Sequence, residues 1–209
     1  MKSPKKNGKP KKTKAKTKPK PKKRGYFYGT IKGTKVHEQL EDFVLLDKKN
    51  FLKKHNGLHP WSKRILSHIT EVMKWIPLKS EYNIYNETLM IGTSIDMICV
   101  DTKNGKLILL EFKTGYRNYF ENNDGFMSHS LYLMKNSPLN WATIQLVFSI
   151  IMLCKQSGMR LRDIEAYVLR IDDDTLDSYA IDKTFIDEMT EPIFNDMLLQ
   201  QQNYKRVKA

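Results

Sequence analysis

Asp96, Glu111 and Lys113 fall in or at the end of one stretch, Gly92 to Lys113, GTSIDMICVDTKNGKLILLEFK. Two carboxylates and an amine are a set that can hold a hard divalent cation and place an ammonium beside it. Whether they meet depends on how the stretch folds. Two apolar runs, Leu89 to Val100 and Leu107 to Phe112, flank Asn104-Gly105, the dipeptide suited to a type I′ hairpin turn. With Asn104 and Gly105 as the central turn residues, Lys103 faces Lys106, Val100 faces Leu109, Ile98 faces Glu111 and Asp96 faces Lys113. The three ionisable side chains then share one face, with opposed positions about 5 Å apart and diagonal ones about 7–8 Å. A one-residue slip would separate them.

Ile108, Leu110 and Phe112 occupy the other face of the second strand, while Leu107 and Leu109 make its active face apolar too, so it reads as covered on both sides. Carboxylates in such surroundings stay ionised only beside a metal or another cation. The competing reading is a buried salt-bridge cluster without chemistry. The tripeptide Asp-x-Lys alone decides little, because it recurs at Asp47 to Lys49 and Asp101 to Lys103. Context distinguishes this stretch: Gly92-Thr93 before Asp96, an apolar strand into Glu111, and Thr114-Gly115 after Lys113.

The elements around it follow from periodicity. A helix is expected from about Lys35 to Leu46, capped by Thr34, with Val36, Leu40, Phe43 and Val44 inward and His37 on a neighbouring stripe. A second helix runs from about Pro60 to Ile76 and stops at Pro77. His55, His59 and His68 lie in or near it, without ligand spacing to one another, and read as surface or capping residues. Glu81 to Glu87 reads as the first strand. After Lys113, Tyr116-Arg117-Asn118-Tyr119-Phe120 sets aromatics beside a cation, so Tyr116 and Arg117 could stack bases and hold phosphates, or Tyr116 and Phe120 could simply cover the core. The most apolar helix spans about Asn140 to Ser157, ended by Gly158, and its Gln145 needs a partner. Strands over Arg162 to Ile171 and Ser178 to Ile181, then a helix from Thr184 to about Gln200, complete an αα-βββ-α-ββ-α order, which predicts a mixed sheet between helical layers.

Ile91-Gly92-Thr93-Ser94-Ile95-Asp96 and Leu110-Glu111-Phe112-Lys113-Thr114-Gly115 resemble the second and third motifs of PD-(D/E)XK nucleases, in particular the RecB-like exonuclease branch. Gly33-Thr34-Lys35-Val36-His37 is similar to the branch's N-terminal Gly-Thr-x-x-His helix, and Gln145-Leu146 to the start of its Gln-Leu-x-x-Tyr motif. The likeness covers roughly residues 30 to 175. It implies a three-layer α/β/α restriction-endonuclease-like fold and a metal-dependent deoxyribonuclease, an exonuclease of replication, recombination or repair, with a viral origin suiting its size. It further implies Mg²⁺ or Mn²⁺ held by Asp96, Glu111, His37 and the Phe112 carbonyl, with Glu81 a further candidate ligand, Lys113 acting on the attacking water, and Gln145 positioning Lys113 or a phosphate. Ser149 departs from the pattern where Tyr is usual. Cys99 and Cys154 are too few for the four-cysteine iron–sulfur cluster that many relatives carry.

Charge divides the chain. Residues 1–24 hold twelve Lys and one Arg with no acid, and the formal charge of the whole chain is +13, so residues 25–209 are close to neutral. The first segment reads as a disordered arm and the rest as one nuclease-like domain. A flexible polycation binds DNA through counterion release, without reading sequence. Lys22, Lys23 and Arg24 belong to this arm and also resemble a nuclear import signal. The two cysteines read as reduced residues of an intracellular protein. No apolar run is expected to span a membrane, and no signal peptide is evident. Two other readings remain open: a catalytically silent nuclease-fold protein that binds or packages DNA through its basic tail, and an adaptor that recruits a helicase or polymerase.

Overall fold

The computed structural model describes residues 24–87, 90–116, 119–121, 125–128 and 131–208, with the backbone alone for 24–30, 200, 201 and 203–208. The arm before Arg24, including Lys22 and Lys23, lies outside the described residues, as does Arg117. Arg24 opens the first helix, and its side chain is not among those described.

Five strands form one sheet in sequence order: β1 (Trp75–Asn86), β2 (Ile91–Asp101), β3 (Leu107–Thr114), β4 (Ile164–Ile171) and β5 (Leu176–Ala180). The first three are an antiparallel meander, β3 and β4 are parallel, and β5 returns antiparallel. A parallel neighbour requires a crossover; here it carries α4 (Pro138–Ser157). Together with α5 (Lys183–Lys208), α4 covers one face, burying Leu146, Ile150, Ile186 and Ile193 against Leu109, Ala166 and Val168. On the other face α1 (Arg24–Leu45) and α3 (Pro60–Ser67) bury Val36, Leu40, Trp61 and Ile65 against Cys99, Ile108, Leu110 and Phe112. The expected mixed sheet between helical layers is therefore present, an α/β architecture consistent with a restriction-endonuclease-like fold. Cys99 and Cys154 are both free.

Several elements differ from their sequence reading. Helix α1 begins at Arg24 and runs through Thr34, so Thr34 is an interior residue of the helix and not its N-cap: packing of an amphipathic face outweighs local cap preference. Phe43 is exposed, its ring edge-on to Phe51 of α2 (Lys48–Lys54), a helix too short for periodicity to reveal. The second helix is shorter than expected. After Ser67 it widens into a π-helical turn, His68–Val72, which throws Val72 outward, and Lys74 at φ 61° turns the chain into β1. Trp75 is thus a strand residue, and Pro77 sits at a register irregularity of an edge strand, where its missing N–H is tolerated. His55 is buried against Asp42, Nε2 to Oδ2 2.6 Å, instead of lying on the surface. His59 does cap α3, its Nδ1 accepting from Trp61 N at 3.2 Å.

The C′ glycine of α4 is Gly158, at φ 69°, as its sequence predicts. At twenty residues α4 is long and apolar enough to cross a bilayer by length and composition, contrary to expectation. It lies across the sheet instead, packed against four strands and α5.

Candidate metal centre

The hairpin register differs from the sequence reading by two residues. Met97 pairs with Leu110, Ile98 with Leu109 and Val100 with Leu107. Asp101 explains the shift. Its N–H donates to Lys106 O, its carbonyl accepts from Gly105 N, and its side chain accepts from Lys103 N at 2.8 Å, while Asn104 Oδ1 accepts from Lys106 N. Two side-chain-stabilised turns therefore make a four-residue loop in place of the two-residue type I′ turn. Because side chains alternate with a period of two, an even shift leaves every residue on its face. Asp96 now stands opposite Glu111 rather than Lys113.

Pairing of β2 with β3 ends at Met97 and Leu110. Where the strands part, Asp96 Oδ2 takes the Phe112 backbone N–H at 2.6 Å. The sequence pointed to the Phe112 carbonyl; the contact the structure displays is this N–H. On the other side, the β1 pairings Ser80 with Met97 and Tyr82 with Ile95 set Glu81 beside Asp96. Glu81 has φ 45°, in the left-handed region that L-residues avoid. Three acids, Glu81, Asp96 and Glu111, thus lie in a row across three strands.

His37 comes from α1, and Gly33 sets how close that helix can lie. A Cβ at Gly33 would stand 2.5 Å from Thr114 Oγ1, so the missing side chain lets the helix rest on the end of β3. His37, one turn further along, lies edge-on to Phe112 at 6.0 Å between ring centroids. Its Nδ1 is 3.6 Å from Glu81 Oε1 and 3.8 Å from Asp96 Oδ1. One ligand atom from each of His37, Glu81 and Asp96 falls within 4.8 Å of the other two, a group that could hold a metal ion. Two carboxylates and an imidazole suit a hard divalent cation of the Mg²⁺ or Mn²⁺ type. Ser94 Oγ donates to the other Glu81 oxygen at 3.3 Å.

Glu111 is not one of that group, and both its oxygens are engaged. Oε1 accepts from Lys113 Nζ at 2.5 Å and Oε2 from Gln145 Nε2 at 3.0 Å. Gln145 therefore contacts Glu111, where the resemblance implied Lys113 or a phosphate. Ser149 Oγ donates to the Gln145 carbonyl at 2.8 Å, one turn back on α4. Tyr116, at φ 67°, packs its ring on Tyr119 and Phe120 and against the core on the α4 side, which favours the core-covering role over an open stacking surface.

Burial pushes the Asp96 carboxyl up to about 7; the Phe112 N–H and the Lys113 ammonium oppose this and Glu81 reinforces it. Glu111, 2% exposed, is raised by burial and then by Asp96, with Lys113 and His37 opposing. Burial would lower the Lys113 pKa, yet Glu111 and Asp96 outweigh it and hold the amine above the ordinary lysine range. The acids outnumber the cation beside them, and a divalent ion would relieve the excess.

No family model matches the chain, and no curated protein does. Among solved structures, a candidate exonuclease from Eubacterium rectale is 11% identical, with a TM-score of 0.44, over 84% of this chain and 68% of its own. The protein SSO0001 is 15% identical, with a TM-score of 0.31, over 81% of this chain and 87% of its own. At such scores the reading of the site rests on its own geometry.

Proposed function

We propose that this protein is a metal-dependent nuclease that hydrolyses phosphodiester bonds of DNA, in the manner of the PD-(D/E)XK enzymes its motifs resemble. The observation that carries the reading is the convergence of His37, Glu81 and Asp96 beside the paired Glu111 and Lys113. His37, Glu81 and Asp96 would hold Mg²⁺ or Mn²⁺, with Glu111 and the Phe112 carbonyl, the sequence-derived candidates, completing the set from the adjacent strand. When bound, such an ion supplies Lewis acidity toward the phosphoryl oxygen and an acidified water.

The remaining work falls to the chain's own side chains. Lys113, held protonated by Glu111, is a hydrogen-bond donor and a fixed positive charge, suited to stabilising the charge that develops on the phosphate and to orienting the attacking water. Gln145 anchors the far oxygen of Glu111, so that Glu111 and Lys113 keep one geometry. Phe112 fixes the Asp96 carboxylate through its N–H. The basic arm before the fold would keep the enzyme on its polyanionic substrate between events.

The test is purified full-length protein on end-labelled single-stranded, duplex and circular DNA with Mg²⁺, Mn²⁺ or EDTA. Cleavage is expected with either metal, none in EDTA, and none by Asp96→Ala. Cleavage that survives EDTA, or an Asp96→Ala protein as active as the parent, would overturn the reading.

A further inference from the structure

The chain has three tryptophans, and they are used differently. Trp61 and Trp75 are core residues, 5% and 3% exposed, whereas Trp141 is 54% exposed. Its one polar atom is already committed: Nε1 donates to Asn136 Oδ1 at 2.8 Å. Asn136 is in turn fastened by its N–H to Gly125 O at 3.1 Å, and the neighbouring Ser137 caps α4 by accepting from Asn140 N at 3.2 Å. The indole is therefore held in place at one edge while over half of its surface stays open, and what it offers is an apolar ring with no hydrogen bond to give.

Its position matters as much as its exposure. Trp141 and Gln145 are four residues apart on α4, on one stripe with Cβ atoms about 5–6 Å apart, and Gln145 contacts Glu111. Trp141 thus stands one helical turn from the glutamine that holds Glu111 beside the candidate centre. The segment between Lys113 and Trp141 also exposes Tyr119, Phe126 and Tyr132, and the Phe120 carbonyl, accepting from Leu139 N, ties that segment to the start of α4.

We propose that Trp141 is a stacking platform for an unpaired base of the DNA strand entering the candidate metal centre, so that this protein acts on single strands or frayed ends in preference to closed duplex. The proposal rests on the nuclease reading above and specifies its substrate. In duplex DNA the base faces are already stacked on one another; in a single strand they are available to an aromatic ring, which accepts any of the four bases.

Because Trp61 and Trp75 are buried, a change in tryptophan emission on binding DNA reports Trp141. The full chain is titrated in EDTA, which keeps the strand intact, with a single-stranded oligonucleotide and with a blunt duplex of equal length. About 0.3 M salt weakens the counterion-release contribution of the basic arm. Quenching by the single strand and not by the duplex is expected, absent in Trp141→Phe, with affinity about tenfold weaker in Trp141→Ala. Unchanged emission at saturation, or equal affinity of Trp141→Ala and parent, overturns the proposal and leaves the ring as a protein-docking surface. The two readings fail separately. Quenching without metal-dependent cleavage refutes the nuclease and leaves the platform standing, whereas Asp96-dependent cleavage without quenching does the reverse.

Discussion

Lys113 and Arg170 are register partners on neighbouring parallel strands, and each is a cation packed among carboxylates, yet their surroundings are opposite in kind. Arg170 spends its guanidinium on the Gly115 carbonyl at 3.0 Å, Asp177 Oδ2 at 2.6 Å, and Asp172 Oδ2. Asp172 also accepts backbone N–H donors from Asp174 and Thr175 at 2.9 and 2.8 Å. Burial raises the Asp172 carboxyl, but these donors and Arg170 outweigh it and hold the pKa below the ordinary range. Around Lys113 the same ingredients leave Asp96 and Glu111 raised. A cluster that serves the fold satisfies its own charges; one short of positive charge is where a substrate or metal is expected to supply the rest.

The comparison breaks first on activity. Asp96→Ala and Lys113→Ala should each lower hydrolysis by on the order of a thousandfold, measured as initial rate on end-labelled DNA. Asp96→Ala should cost little stability, because removing a buried acid whose charge is only partly compensated offsets the loss of the Phe112 N–H acceptor. If that variant unfolds early, the two clusters are of one kind. Next in size, Arg170→Ala strands Asp172 and should cost roughly 3–5 kcal/mol in urea unfolding. A loss below about 1 kcal/mol would deny the cluster a structural role.

The two regions should also answer pH with opposite signs. Asp96 is raised in the folded state to about 7 from an ordinary value near 3.9, so its acid form is the one the fold favours. Without metal, its contribution is most favourable below pH about 4, declines as pH rises to about 7, and is then constant. Asp172 is lowered, so its contribution is present above about 3.9 and is lost as pH falls through its depressed folded value. Urea midpoints of Asp96→Asn and Asp172→Asn against the parent, from pH 3 to 8, separate the slopes. A divalent ion competes with the protons on Asp96 and Glu111. Mn²⁺ affinity by calorimetry should therefore climb toward pH 7, by up to about tenfold per pH unit for each proton displaced. A flat profile would detach those acids from the metal.

Much of this was legible in the sequence because it depends on periodicity. Alternation in Leu107 to Phe112 and the helical spacing of Val36 and Leu40 specify which faces are buried, and the acids keep to one face because the register differs by an even number of residues. The two-residue error in the hairpin came from reading Asn104-Gly105 as a two-residue turn, whereas the side chains of Asp101 and Asn104 compete for the turn's N–H groups. The early end of the second helix was hidden because a π-helical turn and a positive φ at Lys74 leave the composition of Trp75 and Ile76 helical in appearance. Glu111 as the partner of Gln145 could not be read, since no local pattern records which strand residue a helix side chain 34 positions further along the chain will meet. Trp141 carried a signal that was available, an aromatic one turn before a glutamine expected at the centre, but exposure decides its meaning and only coordinates give exposure.

The smallest effect concerns Glu81 and sharpens the comparison most. Its φ of 45° costs about 1–2 kcal/mol for an L-residue, a cost that glycine would not bear. Glu81→Gly relieves that strain and gives back part of it as unfolded-chain entropy, for a net gain of about 0.5 kcal/mol in metal-free stability. It also removes one of the three convergent ligand atoms, so the rise in melting temperature on adding Mn²⁺ should shrink, as expected for affinity about tenfold weaker. Opposite signs in the two measurements place Glu81 with the metal. Should the metal-free protein lose stability instead, its contacts with His37 and Ser94 serve the fold, and Glu81 belongs in kind with Asp172.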